Sequence, residues 1–77
     1  MLTITRYLDI SPQAASERLA TVTDRIDAPA DAEIRVDGID QLATVRVTVP
    51  WSTEQREAIA LAADRFATAL VSELAAA

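Results

Sequence analysis

Hydrophobic and polar positions alternate along three stretches of this chain and recur at helical spacing along two others. In Met1–Leu8, residues Leu2, Ile4, Arg6 and Leu8 share one parity, and Thr3, Thr5 and Tyr7 share the other. That period of two, with its β-branched content, predicts a strand. Arg6 is the anomaly on the apolar parity. It predicts either an edge position from which the guanidinium reaches water, or a buried ion pair. Ser11 and Pro12 then mark a helix start, as N-cap and first helical residue, with Ile10 and Ala15 at hydrophobic-staple positions. Ala15, Leu19, Val22 and Ile26 form a narrow apolar stripe, which predicts a helix running to about Asp27, before Ala28-Pro29.

Ala28–Ala32 reads as a connector, and alternation returns in Glu33–Asp37 with Ile34 and Val36 inward. Asp37-Gly38-Ile39-Asp40 contains the only glycine and predicts a hairpin turn. Leu42–Val49 follows, with Val45, Val47 and Val49 on one face and Thr44, Arg46 and Thr48 on the other; Pro50 ends it. The last third, Ser52–Leu74, reads as one long amphipathic helix. Ser52 is its expected N-cap, and Gln55 is placed to complete a capping box. Glu54 and Glu57 suit the positive end of the helix dipole. Stepping about 100° per residue puts Ile59, Ala62, Ala63, Phe66, Ala67, Leu70 and Leu74 on one side. Leu61 falls among the polar residues, and Glu73 falls within the apolar arc.

The order β-α-β-β-α, a right-handed crossover and a single apolar sheet face predict an α+β domain. It has a three-stranded antiparallel sheet with both helices on one face. Over the whole chain this topology resembles a ferredoxin-like fold that lacks its last strand. That resemblance implies a fold and carries no functional motif.

Composition narrows the chemistry. Seventy-seven residues make one small domain, 1–77, near the size at which a single core barely suffices. Sixteen residues are alanine, and only Tyr7, Trp51 and Phe66 are aromatic. The chain has no His, Cys or Lys, which removes the usual general base, the thiolate nucleophile, the Schiff-base amine and the ligands of a zinc site. One glycine cannot build a phosphate-binding loop. No cofactor and no metal are therefore expected. The carboxylates Asp24, Asp27, Asp31 and Glu33 around the first helix exit, and Asp37 and Asp40 around Gly38, match no cation-binding loop. A solvated acidic rim and an ordinary turn account for them.

The net charge is −5, and the seven arginines are scattered along the chain. This argues against nucleic acid as a partner. The N-terminal stretch alternates and carries Arg6 and Asp9, which does not read as a secretory leader, and no apolar run is long enough to span a membrane. A cytoplasmic location is expected.

The function these features favour is a non-enzymatic protein-interaction module: a homodimeric subunit, regulator or inhibitor acting through its surface. One alternative is a DNA-binding antitoxin or repressor, since the element order loosely resembles small antitoxins of the Phd/YefM type; no motif residue matches them. The other is a small enzyme using carboxylates and Tyr7.

Homodimerisation is expected on three grounds. Twenty-three helical residues would span roughly 34 Å, against about 25 Å for the strands, so Leu70, Val71 and Leu74 would overhang the sheet. The Leu2–Leu8 strand would be an open edge guarded only by Arg6. The core is small. The expected interface residues are Leu2, Ile4, Arg6, Tyr7, Trp51, Leu70, Val71, Glu73 and Leu74, with Arg6 and Glu73 finding partners across it. Trp51 reads either as a cap packed over the start of the terminal helix or as an interface anchor. The outer sheet face, with Thr3, Thr5, Tyr7, Arg35, Thr44, Arg46 and Thr48, reads either as solvated surface or as a platform for a partner.

Overall fold

The computed structural model describes residues 1–76. Its elements run β1 (Leu2–Leu8), α1 (Pro12–Thr23), β2 (Glu33–Ile39), β3 (Leu42–Val49) and α2 (Arg56–Ala76). The sheet order is β1-β3-β2, and both outer strands pair antiparallel with β3. This is the expected α+β arrangement, compatible with a ferredoxin-like sheet without its fourth strand. Among the described residues no helix is long and apolar enough to cross a membrane.

The alternation of β3 accounts for the layering. Ala43, Val45, Val47 and Val49 are all buried, while Thr44, Arg46 and Thr48 are not. In the paired registers Leu2, Ile4, Arg6 and Leu8 of β1 share that inner face with Ile34 and Val36 of β2. α2 packs on β1 and β3, α1 packs on β2 and β3, and the two helices touch each other. Ala15 and Val22 from α1 meet Ala63, Phe66, Ala67, Leu70 and Leu74 from α2 in one core. Phe66 is buried there as expected, but the largest side chains fully removed from solvent are Leu70 and Leu74.

α1 begins as its sequence dictates. Ser11 adopts an extended N-cap conformation, and its Oγ accepts a hydrogen bond from the Ala14 N–H at 3.2 Å. The helix ends at Thr23, earlier than Asp27. The Arg25 N–H turns back to the Val22 carbonyl at 3.0 Å, a three-residue closure that tightens and stops the last turn. Ile26 still packs on the core from outside the helix.

Two boundaries differ more. The hairpin turn is Asp40-Gln41, not Asp37–Asp40. β2 continues through Gly38 to Ile39, which pairs with Leu42, and Asp40 takes the left-handed conformation (φ 53) that short polar residues tolerate. α2 starts at Arg56, not at Ser52. The first helical hydrogen bond in this region runs from the Ile59 N–H to the Gln55 carbonyl at 2.9 Å, so Ser52 does not cap the helix.

The expected apolar overhang is absent. Leu70 and Leu74 are each 0% exposed. Their turns lie against α1, where the Arg18 guanidinium donates to the Leu74 carbonyl at 2.9 Å and Arg25 pairs with Glu73 at 3.5 Å. Arg18 thereby satisfies one of the free carbonyls at the negative end of α2.

Candidate functional site

The residues expected to form an interface separate into three places. Leu2, Ile4, Arg6 and Tyr7 lie together on β1. Trp51 is exposed just beyond β3, at the end where Leu2 pairs with Val49, and is not among the side chains packed on the core. Leu70 and Leu74 belong to the interior, with Val71 half-buried beside them. The expectation that Leu70 and Leu74 offer free apolar surface is therefore corrected by their burial.

The partners expected across an interface lie within the same chain. Arg6 makes an ion pair with Asp64 of α2, and Glu73 pairs with Arg25. The Arg6–Asp64 pair is partly exposed, so it is neither a free guanidinium in water nor a buried salt bridge. Leu61 remains exposed on α2, as its place among polar neighbours predicted.

Two surfaces remain open. The first is the outer edge of β1, where no strand pairs among the described residues. The second is the outer sheet face, which neither helix covers. The registers set out its side chains in rows: Thr3, Thr48 and Glu33; then Thr5, Arg46 and Arg35; then Tyr7, Thr44 and Asp37. The Thr3 and Thr48 hydroxyls lie 3.2 Å apart, and Arg46 pairs with Asp37 at 3.5 Å. At the hairpin end Ile39 pairs with Leu42, on the same face.

Reading the sequence missed the place of Ile39 on the outer face opposite Leu42 because it put Ile39 in the turn. The parity of Glu33, Arg35, Asp37 and Ile39 carries the strand through Gly38 and was the available signal. It also missed a shallow cleft of about 410 Å³ lined by residues that include Pro29, Val49, Pro50, Ile59 and Ala62. That cleft opens where the late start of α2 leaves the sheet end uncovered.

Among the described residues no polar or charged side chain is buried, and no three carboxylates gather to hold a metal ion. The carboxylates considered for a cation are dispersed: Asp37 is engaged by Arg46, and Asp40 shapes the turn. Tyr7 stands on the open sheet face. No known protein family, curated protein or solved structure matches the chain.

Proposed function

We propose that this chain is a non-enzymatic interaction module that forms a homodimer by pairing β1 with β1 of a second copy. The observation that carries this reading is the open edge of β1. It is seven residues long, contains no proline, and is backed by continuous pairing to β3. Such an edge presents a row of free N–H and C=O groups that favours strand addition. Its guard is Arg6, whose guanidinium pairs with Asp64 on the helix side and also donates to the Thr5 carbonyl at 3.2 Å.

Symmetry selects a register. A two-fold pairing centred on Thr5 uses all seven residues and sets Thr5 opposite Thr5 of the second copy, with Ile4 opposite Arg6. Centring on Arg6 would oppose two guanidiniums, which is unfavourable. The non-enzymatic part of the reading is supported by the lack of His, Cys and Lys and by an interior without polar side chains.

Because the chain has no cysteine, Thr5→Cys gives a single reactive position. Opposed residues in an antiparallel pair are close enough for a disulfide. Mild oxidation of Thr5→Cys is expected to give a covalent dimer, whereas Leu61→Cys on α2 stays monomeric under the same conditions. Equal cross-linking of both, or of neither, defeats the β1 pairing.

A further inference from the structure

We infer that Arg6 gates the β1 edge: its guanidinium, held between Asp64 and the Thr5 carbonyl, has to leave before a second copy pairs there. This rests on the β1 pairing proposed above and adds what limits it. The registers identify the backbone groups at stake. Ile39 pairs with Leu42 across the two-residue turn Asp40-Gln41. The pair that flanks such a turn is hydrogen-bonded, and along an antiparallel ladder the direction of N–H and C=O then alternates from residue to residue. The even-numbered residues of β3 therefore point their backbone groups at β2, and the odd-numbered ones point theirs at β1. Those odd-numbered residues pair with Leu2, Ile4, Arg6 and Leu8. The N–H and C=O groups of Thr3, Thr5 and Tyr7 are left for the open edge.

Thr5 is the centre of that set, and its carbonyl is the one that Arg6 occupies. Arg6 donates from Nη1 to the Thr5 carbonyl at 3.2 Å, while its Nη2 pairs with Asp64 on α2. One planar fork thus bridges a helix carboxylate and the middle of the edge. When Thr5 opposes Thr5 of a second copy, each carbonyl accepts the N–H of the other. The guanidinium stands in for that N–H. Two copies bring two guanidiniums to the centre of the pairing, and both are displaced as the strands join. Each displacement gives up a charge-assisted hydrogen bond. Charged side chains on an edge strand oppose pairing in general; Asp64 aims this one at a single carbonyl.

Sedimentation equilibrium of the full chain measures the dimer constant. Arg6→Met keeps an apolar stem on the inner face and removes the donors, and it is expected to tighten pairing roughly tenfold or more. Asp64→Asn keeps the arginine but removes its anchor, and it is expected to tighten pairing by a smaller factor. That sign separates gating from plain repulsion between two arginines, because loss of the compensating carboxylate would strengthen repulsion and weaken the dimer. It also decides the matter if Arg6→Met does not fold. An Asp64→Asn dimer no tighter than that of the unaltered chain overturns the gate, as does a folded Arg6→Met protein with unchanged or weaker pairing. In those cases cross-linking of Thr5→Cys still reports on β1 pairing by itself, so the gate fails while the pairing stands. Absence of a dimer in all three proteins, with no cross-linking of Thr5→Cys, removes the pairing and the gate together.

Discussion

Phe66, Leu70 and Leu74 share one stripe of α2, and their burial decides what substitution there does. All three face the inner side chains of the sheet and α1 inside one core. Truncating a buried phenylalanine removes transfer energy and leaves a cavity, so Phe66→Ala is expected to cost about 3–5 kcal/mol. In a domain of this size that approaches the whole of its stability. Urea unfolding followed by circular dichroism measures it, and a loss below about 1 kcal/mol would remove Phe66 from the core. Gly38 is constrained for a different reason. Its φ is +125, and a Cβ there would lie 2.1 Å from the Leu42 carbonyl oxygen. Both the backbone conformation and the close approach exclude a side chain, so Gly38→Ala is expected to destabilise by about 1–3 kcal/mol. The same denaturation measurement checks it. The Arg6–Asp64 pair contrasts with both. It is partly exposed, and Asp64→Asn is expected to change stability by less than about 1 kcal/mol.

Among the elements, those whose signals are local and mutually consistent were legible in the sequence. β1, β3 and the start of α1 follow from alternation and from Ser11-Pro12, and they lie where those signals put them. Because the Ser11 Oγ bonds the Ala14 N–H, Ser11→Ala is expected to cost about 1 kcal/mol. A thermal midpoint unchanged by that substitution would deny the cap. The illegible parts are those where tertiary geometry overrides a good local signal. Ser52 and Gln55 have the composition of a capping box, yet the chain leaving Val49 runs to Gln55 before it coils. Asp37-Gly38 has the composition of a turn, yet pairing of Gly38 with Ala43 and of Ile39 with Leu42 extends the hairpin by two residues. The same extension shapes the outer face: it sets Ile39 opposite Leu42 there, which a turn at Gly38 would not do. The expected overhang is absent because α1 covers more than the sheet. Arg18 and Arg25 show that it also flanks the last turns of α2.

At the scale of the whole molecule, these corrections reduce the routes to a dimer from two to one. With Leu70 and Leu74 enclosed, and Arg6 and Glu73 paired within the chain, the end of α2 has little left to offer a second copy. Leu70→Glu is therefore expected to unfold the domain at every concentration, since it buries an uncompensated charge. It is not expected to yield a folded monomer. The edge of β1 remains, and joining two such edges would extend three strands to six and give each small core the support of its neighbour. A ligand that binds only the folded chain stabilises it by mass action, and a second copy paired on β1 would be such a ligand. The thermal midpoint of the unaltered protein is thus expected to rise with protein concentration across the micromolar range. In the oxidised Thr5→Cys form the two chains are already joined, and the midpoint is expected to become independent of concentration. Parallel melts of both proteins over a concentration series make the measurement. A midpoint that does not move with concentration for the unaltered protein, with sedimentation equilibrium giving the 8.3 kDa chain mass, would rule out a second copy as the occupant of the β1 edge.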